Sequence, residues 1–451
     1  MLSEAARASS NAAGVMRWLA ATNEAHPLRV ERVPFSALES WHFQPRPLRL
    51  AHRSGQFFSI EGARIETDFG PLRCWDQPVI NQPEIGILGF LVRWVDGAPE
   101  LLMQAKIEPG NVNGAQLSPT LQATRSNYTR VHRGARPAFL EYFTGEAPGR
   151  VLIDQLQSEQ GSRFLGKRNR NMVVEPLDEP AVDDRFRWMP LAQVKGLLHV
   201  DNVVNMDARS VLSCIPLSMD RRPAAPAAPF TAALRESATA RTSWHATTDI
   251  LNALTRLRAG YDRAVARIGL DRLKGWDVSP AAICRPDDRY FSVIAARVEI
   301  GNREVTRWEQ PLLYHRGEGL NGMVTQRIDG VLHFLMRACM YAGSRETFEL
   351  GPTASRSDYL RESERGDVPA FLRLFAQPDP SWVRFSSVQS EEGGRFYHYQ
   401  NRYMILELPP DEITRVPEGY LWMTLAQIES LLPHGYFNIE ARNLLACLQT
   451  A

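Results

Sequence analysis

Lysine is scarce in this 451-residue sequence, and long hydrophobic runs and an excess of charge of one sign are absent. Only four of its 52 basic residues are lysine, namely Lys106, Lys167, Lys195 and Lys274. The acidic side chains number 51 and no block is strongly basic, which argues against a dedicated nucleic-acid or membrane-surface protein. No apolar run approaches the roughly 20 residues that span a bilayer.

Cysteine is scarce as well. Cys74, Cys214, Cys284, Cys339 and Cys447 lie far apart, with no Cys-x-x-Cys pair and no histidine at metal-ligand spacing. Such a set predicts buried thiols in a reducing compartment. The N-terminus lacks a basic segment followed by an apolar one, so we expect no secretory signal and a cytoplasmic location, with neither nucleic acid nor a membrane as partner.

The sequence contains an internal duplication. Five blocks recur in the same order at an offset close to 233 residues, which predicts one module used twice. The paired blocks are WDQP (75–78) and WEQP (308–311), LSPT (117–120) and LGPT (350–353), QSEQGSRF (157–164) and QSEEGGRF (389–396), WMPLAQV (188–194) and WMTLAQI (422–428), and NMDARSVLSCI (205–215) and NIEARNLLACL (438–448).

The duplication predicts two domains joined by a linker. We place repeat 1 at residues 1–215, a Pro/Ala-rich linker at 216–245 and repeat 2 at 246–451. Each repeat is expected to begin with a helix, the first at residues 4–21. The second is predicted from an apolar stripe at helical spacing that comprises Ile250, Leu251, Leu254, Leu257, Tyr261, Val265 and Ile268.

Strand and helix patterns alternate within each repeat. Aromatic and β-branched residues predict strands in GQFFSIEGARIE (55–66) and RYFSVIAARVEI (289–300). Asp96-Gly97 and Asp329-Gly330 each predict the turn of a β-hairpin. Short helices follow the strands in WMPLAQVKGLL, NMDARSVLSCI and TLAQIESLL. This order predicts an α+β fold with a sheet-and-helix sandwich in each repeat.

The densest polar stretch runs from residue 106 to residue 142. A predicted strand ends in Lys106-Ile107-Glu108, and a Pro-Gly turn leads into a loop rich in amide, hydroxyl and arginine side chains. Such side chains suit a phosphorylated, hydroxyl-rich ligand because they offer bidentate donors and mixed donor–acceptor edges. An ordinary solvated loop explains the same composition, so both interpretations stay open on composition alone.

Several common chemistries lack their motifs. The chain contains no phosphate-binding loop, no Gly-x-Ser-x-Gly and no His-Glu-x-x-His. The tryptophans that recur at matched places, such as Trp41 and Trp276, are predicted to be core residues, with stacking on a base or sugar as the alternative.

The longer motifs together resemble the NDP-hexose 2,3-dehydratases of deoxysugar biosynthesis. In repeat 1 the resemblance rests on WHF, HRSGQFFSIEGARIE, WDQPVINQPEIGILGFLV, KIEPGN, LSPTLQATRSNYTRVH and FLEYF. In repeat 2 it rests on WEQPLL, GVLHFLM and ELGPTASRSDY. These motifs occur in order from about residue 28 to the C-terminus, so the resemblance covers almost the whole chain.

The resemblance implies a fold and a reaction. Each repeat should be a Nudix-like α/β/α sandwich, and the protein should be a homodimer. The substrate should be a 4-keto-6-deoxyhexose carried on a nucleotide, usually dTDP, from which the C2 hydroxyl and the C3 proton are removed. The product would be a 3,4-diketo-2,6-dideoxy sugar for a separate 3-ketoreductase. The magnesium-binding carboxylate helix of Nudix hydrolases is missing from this sequence, so we expect neither a metal nor another cofactor.

The reaction implied by the resemblance assigns roles to residues of the polar stretch. Candidates for the base and the acid are Glu108, Tyr128, His132 and Tyr142, with Lys106 as partner of the enolate or a phosphate. Arg125, Arg130 and Arg133 would hold the diphosphate. The remaining candidate substrate-binding residues are Asn111, Gln116, Ser118, Thr120, Gln122 and Trp75.

The two repeats are not equivalent in these residues. Cys339 and Tyr341 stand where repeat 1 has Lys106 and Glu108, so we predict one competent pocket, centred on repeat 1. The second pocket would be vestigial or would bind only a nucleotide. Two alternatives to the dehydratase remain, a non-catalytic NDP-sugar-binding module and a magnesium-dependent Nudix pyrophosphatase.

Overall fold

The computed structural model describes residues 4–70, 72–124, 136–220, 227–287, 290–301, 306–355 and 371–448. None of its helices is long and apolar enough to cross a membrane, within the part of the chain that is described. The helices are α1 (Glu4–Ala25), α2 (Leu140–Thr144), α3 (Leu191–Leu197), α4 (Met206–Leu212), α5 (Pro229–Ala238), α6 (Thr247–Gly260), α7 (Leu372–Ala376), α8 (Leu425–Leu431) and α9 (Ile439–Ala446).

The strands follow the same order in both repeats. Repeat 1 contains β1 (Leu28–Val33), β2 (Trp41–Gln44), β3 (Arg49–His52), β4 (Ser59–Thr67), β5 (Cys74–Asn81), β6 (Gly86–Val95), β7 (Ala98–Ile107), β8 (Ala115–Ser118), β9 (Leu121–Ala123), β10 (Gly149–Ser158), β11 (Arg168–Pro176) and β12 (Phe186–Pro190). Repeat 2 contains β13 (Arg263–Ile268), β14 (Asp277–Val278), β15 (Ala282–Cys284), β16 (Phe291–Ile300), β17 (Arg307–His315), β18 (Glu318–Ile328), β19 (Val331–Cys339), β20 (Glu349–Gly351), β21 (Ala354–Ser355), β22 (Val383–Ser390), β23 (Phe396–Tyr397), β24 (Gln400–Leu408) and β25 (Tyr420–Thr424).

Each repeat forms one large mixed sheet, and the overall class is mixed α/β. The first large sheet has the order β10-β11-β6-β7-β12, with β8 beside β7 and β9 beside β6. The second has the equivalent order β22-β24-β18-β19-β25, with β20 beside β19 and β21 beside β18. The pairs β11–β6 and β24–β18 are parallel, whereas the other neighbours in these sheets are antiparallel.

Both predicted hairpins are confirmed. Val95 pairs with Ala98 across the Asp96-Gly97 turn, and Ile328 pairs with Val331 across the Asp329-Gly330 turn. All four turn residues have positive φ, from 48° to 82°, which is the backbone that an Asp-Gly pair adopts most readily in a two-residue hairpin loop.

The two repeats exchange a strand. The smaller sheet of repeat 1 has the order β13-β4-β3-β2, with β5 beside β4, and therefore includes a strand of repeat 2. The smaller sheet of repeat 2 has the order β14-β15-β16-β17-β23 and takes in β1 of repeat 1, which pairs with β16. Because β1 and β13 are equivalent in sequence, the exchange is reciprocal and relates the repeats by a pseudo-twofold axis.

One helix prediction extends too far. The helix α6 ends at Gly260, and Val265 and Ile268 of the predicted apolar stripe lie in β13. There Val265 pairs with Ile65 and Ile268 pairs with Gly62 of β4. A short apolar run fits a helix or a strand by spacing alone, and the partner strand that decides between them is about 200 residues away.

The halves share one large hydrophobic core. Buried residues from both repeats contribute to it, among them Phe90, Leu212, Phe334 and Leu445, and α4 packs against α9 across the pseudo-twofold axis. The predicted linker contributes as well, because it contains α5, whose Leu234 is fully buried against this core.

Reciprocal hydrogen bonds join the repeats. The indole of Trp41 donates to the Glu309 carbonyl and that of Trp276 to the Asp76 carbonyl, both at 2.8 Å. Both rings are buried, which confirms their prediction as core residues. The guanidinium of Arg209 donates to the Ser390 carbonyl, and that of Arg442 donates to the Ser158 carbonyl.

The prediction of buried thiols is only partly right. Cys214, Cys339 and Cys447 are buried, but Cys284 is half-buried and Cys74 is exposed at the start of β5. None of the five is in a disulfide bond. Burial raises the pKa of Cys214 to about 11 and that of Cys447 to about 12, so these two thiols stay protonated.

The strand exchange makes a prediction about folding. Residues 1–220 produced alone should fail to fold cooperatively, because β4 loses its partner β13 and the shared core loses one side. Co-produced with residues 227–451, the same fragment should form a stable heterodimer. Circular dichroism and size-exclusion chromatography check both outcomes, and independent folding of residues 1–220 would contradict the prediction.

Candidate active site

The repeats meet at two equivalent junctions. At the first junction, residues 106–111 of repeat 1 contact residues 390–396 of repeat 2. At the second junction, residues 339–344 of repeat 2 contact residues 158–164 of repeat 1. The Gly110 amide donates to the Gly393 carbonyl and the Gly343 amide donates to the Gly161 carbonyl, both at 2.7 Å. Each junction is therefore built from both repeats.

The first junction holds an ion pair at the end of β7. Lys106 Nζ lies 3.3 Å from Glu108 Oε1, and the amide of Gln122 donates to the same oxygen at 2.9 Å. The hydroxyl of Ser118 in turn donates to Gln122 Oε1 at 3.1 Å. Glu108 Oε2 is buried and has no hydrogen-bond partner among the described residues. The carboxylate is thus held through one oxygen while the other remains available.

A second carboxyl faces Glu108 from repeat 2. A Cβ added to Gly394 would lie 3.2 Å from Glu392 Oε1 and 3.7 Å from Glu108 Oε1, so both oxygens border the same small space. Repeat 1 has Ser162 at the position equivalent to Gly394. The glycine therefore keeps side-chain atoms out of the space between the two carboxyls.

Two further carboxyls complete what we call the carboxylate cluster: Glu108, Glu159, Asp207 and Glu392. Burial, together with the neighbouring carboxylates, raises the pKa of Asp207 well above its ordinary value. Burial also raises the pKa of Glu392, with the negative charge of Glu108 adding to the effect and Arg395 opposing it. Burial raises the pKa of Glu159 to about 7, and the Glu392 carboxyl contributes to that rise.

Cations of both repeats surround the cluster. Lys167 is buried, donates to the Glu84 carbonyl, and has its pKa lowered by burial against the opposing pull of Glu159 and Glu392. Together with Lys106, it places two of the four lysines of the chain at this junction. Four carboxyls with differently shifted pKa values beside two lysines can supply a base, an acid and a partner for a developing anion.

Comparisons with known proteins agree on one family. The sequence model of the NDP-hexose 2,3-dehydratases matches residues 12–215 and again residues 247–448. A dTDP-4-dehydro-6-deoxy-alpha-D-glucopyranose 2,3-dehydratase of Saccharopolyspora spinosa is 44% identical over 96% of this chain and 90% of its own length. The chain belongs to the NDP-hexose 2,3-dehydratase family.

Two more relatives carry the same name. The protein from Amycolatopsis orientalis is 42% identical over 97% of this chain and 90% of its own length. The protein from Streptomyces violaceoruber is 42% identical over 98% of both chains. The resemblance drawn from the motifs is therefore confirmed along both repeats.

In this NDP-hexose 2,3-dehydratase family member the second junction is chemically poorer. Cys339 and Tyr341 replace Lys106 and Glu108, and Gln160 replaces Glu392. The amide of Gln160 donates to Glu391 Oε2 at 2.7 Å, so an amide–carboxylate contact stands where the first junction has two carboxyls.

The structure brings together four predicted site residues, Lys106, Glu108, Ser118 and Gln122, in one hydrogen-bonded group. Gln116 and Asn111 lie nearby with supporting contacts, since Gln116 donates to Ser390 Oγ and Asn111 donates to the Gly114 carbonyl. Arg125, Tyr128, Arg130, His132 and Arg133 lie outside the described residues.

Thr120 and Tyr142 have structural contacts instead. Thr120 is buried, accepts from the Leu91 amide and donates to the Leu102 carbonyl, which ties β9 to the sheet. Tyr142 lies on α2 in a hydrophobic cluster with Leu121 and Ala123. Leu121 and Ala123 flank Gln122 on β9, so their side chains point to one face of the sheet and the side chain of Gln122 points to the other. The structure therefore does not place Tyr142 with Glu108.

Burial and the Asp178 carboxylate, which accepts from the Tyr142 hydroxyl at 2.8 Å, raise the pKa of Tyr142 to about 12. Both causes hold the phenol in its protonated form. This separates Tyr142 from the role of a base, which is one of the two roles predicted for it, base or acid.

Trp75 lines a different cavity. This cavity of about 310 Å³ is bordered by Phe69 and Trp75 of repeat 1 and by Arg337, Tyr341 and Tyr420 of repeat 2. This cavity lies beside the second junction, so the structure does not bring Trp75 to the Glu108 carboxyl, and its predicted substrate-binding role stays a prediction. The equivalent Trp308 lies two residues before Gln310, whose amide donates to the Gly394 carbonyl at the first junction.

Sequence reasoning missed Glu159, Lys167, Asp207 and Glu392. One signal was present, because Gln160 and Glu392 differ within a block that is otherwise nearly identical between the repeats.

No group of three or more His, Cys, Asp or Glu side chains among the described residues has the geometry of a metal site.

The pKa of Glu159 leads to a prediction on stability. A folded-state pKa raised from 4.5 to about 7 means that the folded protein binds more protons than the unfolded chain between these pH values. Stability should therefore fall as the pH rises from about 4.5 to above 7. Glu159→Gln lacks this titration. The free energy of unfolding of the variant minus that of wild type should therefore be about 2 kcal/mol larger at pH 8 than at pH 5. Urea unfolding at both pH values checks this, and a pH-independent difference would contradict it.

Proposed function

We propose that this protein is a carbon–oxygen lyase that acts on dTDP-4-keto-6-deoxyglucose. It would remove the C2 hydroxyl and the C3 proton, and the resulting enol would tautomerise to the 3,4-diketo-2,6-dideoxy sugar. The observation that carries the proposal is the Lys106–Glu108 pair. Glu108 Oε1 is held by Gln122 and borders the same space as Glu392, and Oε2 has no hydrogen-bond partner among the described residues. The names of the three relatives support the substrate.

The reaction requires a base at C3 and a cation near the C4 oxygen. The C3 proton is acidic only because the C4 ketone accepts the charge as an enolate. Glu108 is the proposed base, because Gln122 and Lys106 fix one of its oxygens while Oε2 has no hydrogen-bond partner among the described residues. Lys106 is the proposed partner of the enolate oxygen.

Substrate binding is assigned to the polar loop. Arg125, Arg130 and Arg133 remain the proposed diphosphate ligands, with Tyr128 and His132 as further candidate catalytic residues in the same segment. Asn111, Gln116 and Ser118 border the junction and are proposed to position the sugar. The turnover site is proposed to be the first junction alone, because the second lacks both Lys106 and Glu108.

Several finer features belong to the same proposal. Each repeat is proposed to be Nudix-like, the protein to be a cytoplasmic homodimer, and its product to pass to a 3-ketoreductase. The mixed sheets with one central parallel pair and helices beside them support the first of these.

Isotope incorporation tests the reaction. The purified protein is incubated in D₂O with dTDP-4-keto-6-deoxyglucose, a 3-ketoreductase and its nicotinamide cofactor. A 2,6-dideoxy sugar with one deuterium at C2 is expected, since tautomerisation of the enol takes that hydrogen from solvent. Substrate bound but recovered unchanged would favour the binding module. Magnesium-dependent release of dTMP would favour the pyrophosphatase.

A further inference from the structure

Glu159 and Glu392 occupy the positions that, on the other side of the pseudo-twofold axis, are taken by Glu391 and Gln160, whose side chains are in contact. On that side, Gln160 donates from Nε2 to Glu391 Oε2 at 2.7 Å, and Asn401 donates to Glu391 Oε1. On the cluster side, Glu159 is the equivalent of Glu391, and Asn169 donates to its Oε1 at 2.7 Å. Glu392 is the equivalent of Gln160, the donor.

The comparison of the two sides calls for a proton between Glu159 and Glu392. Glu159 Oε2 is buried and has no partner among the described residues, although the equivalent Glu391 Oε2 accepts from the Gln160 amide. A carboxylate cannot donate, so Glu392 can take the place of that amide only as a neutral carboxylic acid. When two carboxyls share one buried site, the state with one proton on the pair is favoured over the state with both carboxyls ionised.

We propose that Glu392 is the general acid of the dehydration and that Glu159 is a positioning residue that accepts its hydrogen bond and keeps it protonated. This inference rests on the proposed function. It assigns the two carboxyls of the first junction opposite tasks, with Glu108 as the base at C3 and Glu392 as the proton donor at C2.

The charges around Glu392 fit this role. The groups that face it are Arg395 on its own segment, Lys106 and Glu108 at the end of β7, Glu159 and Lys167 beside β11, and Asp207 on α4. Burial disfavours its charged form and the negative charge of Glu108 opposes ionisation, whereas Arg395, Lys167 and Lys106 favour it. Its side chain nevertheless remains partly accessible and borders the space next to Gly394, where a substrate hydroxyl can reach it.

The proposed step balances in protons and electrons. Glu108 takes the C3 proton, and the C3–H electron pair passes into the enolate. The enolate then reforms the C4 ketone and expels the C2 oxygen, which leaves as water with the Glu392 proton. The enol loses its O3 proton and gains one at C2 from solvent. Solvent exchange returns the proton from Glu108 to the Glu159–Glu392 pair.

Glu392→Gln separates the two tasks. The variant should fold, because it copies the Gln160–Glu391 contact that the chain already contains. Turnover should fall by about 10² to 10⁴-fold, the usual worth of a positioned acid. The C3 hydrogen of the substrate should still exchange with D₂O, because Glu108 and Lys106 are untouched. NMR of the recovered substrate and assay of the product measure both.

Two further variants serve as controls. The double variant Glu392→Gln/Gln160→Glu keeps the buried composition but moves the carboxyl pair to the second junction, and it should not regain turnover.

In Glu159→Gln, the alkaline limb of the pH–kcat profile should move to lower pH by about one unit or more, because the amide stabilises ionised Glu392. A purely structural role for Glu159 would leave that limb in place.

Normal turnover of Glu392→Gln would overturn the proposal. Loss of both exchange and turnover, with substrate still bound, would overturn it too, since Glu392 would then act before C3 deprotonation. If Glu392→Gln does not fold, the profile of Glu159→Gln decides, and an unmoved alkaline limb would overturn the proposal. Absence of product from the wild-type protein would instead refute the proposed function.

Discussion

Replacing Glu108 by glutamine should lower kcat/KM by about 10³-fold, equivalent to about 4 kcal/mol of transition-state stabilisation. Glutamine keeps the shape of the side chain but cannot take a proton from C3. Unlike Glu392→Gln, this variant should therefore lose the exchange of the C3 hydrogen with D₂O along with product formation. Steady-state assays and NMR of the recovered substrate measure the two losses.

Tyr341 provides the matched control for this variant. It occupies the position equivalent to Glu108 at the second junction and lines the cavity of about 310 Å³ there. Tyr341→Phe should change kcat/KM by no more than a few-fold. Equal losses in Glu108→Gln and Tyr341→Phe would contradict the assignment of turnover to the first junction.

A methyl group at Gly110 should destabilise the protein by about 3 kcal/mol or more. A Cβ there would lie 1.7 Å from the Phe396 carbonyl oxygen and 2.7 Å from that of Gly393, and backbone atoms cannot withdraw as a flexible side chain can. Gly110→Ala should therefore push residues 390–396 away from Glu108 and reduce both stability and turnover. Urea unfolding and activity per folded molecule measure the two effects.

Gly196→Ala is the neutral control. Gly196 lies in α3 with open space around the position of a Cβ, so alanine should leave stability unchanged or raise it by up to about 1 kcal/mol. Gly343→Ala tests the junctions separately, because its Cβ would lie 1.9 Å from the Phe164 carbonyl oxygen. Gly343→Ala should lower the free energy of unfolding about as much as Gly110→Ala does but should retain activity per folded molecule. Unchanged stability of Gly110→Ala would contradict the argument.

The local part of the site could be predicted from the sequence. Lys106 and Glu108 end one strand, and Gln122 lies on a short strand that follows the same polar loop, so nearness in sequence translated into contact. The hairpin turns were predictable for the same reason, since Asp-Gly fixes its own backbone.

The remainder depended on contacts between the repeats. Glu392 reaches Glu108 only because residues 390–396 dock on residues 108–110, and no local pattern encodes that docking. The same docking at the other junction brings Trp75 beside Tyr341 instead of Glu108. Tyr142 was misplaced for another reason. The hydrophobic cluster that contains Tyr142 lies on the face of the sheet opposite to the Gln122 side chain, and the composition of a loop does not indicate on which face of the sheet its residues will pack.

The reciprocal exchange of β1 and β13 has a consequence for the history of the molecule. Two copies of one module that trade a strand and complete each other's junctions have the arrangement of a twofold dimer whose chains have been joined. In such a dimer, every substitution appears at both junctions, so a lysine, an acid pair and a glycine could never be confined to one of them. A single chain has no such restriction. Here one junction has Lys106, Glu108 and Glu392 while its twin differs at all three positions and keeps the interlocking backbone that holds both together.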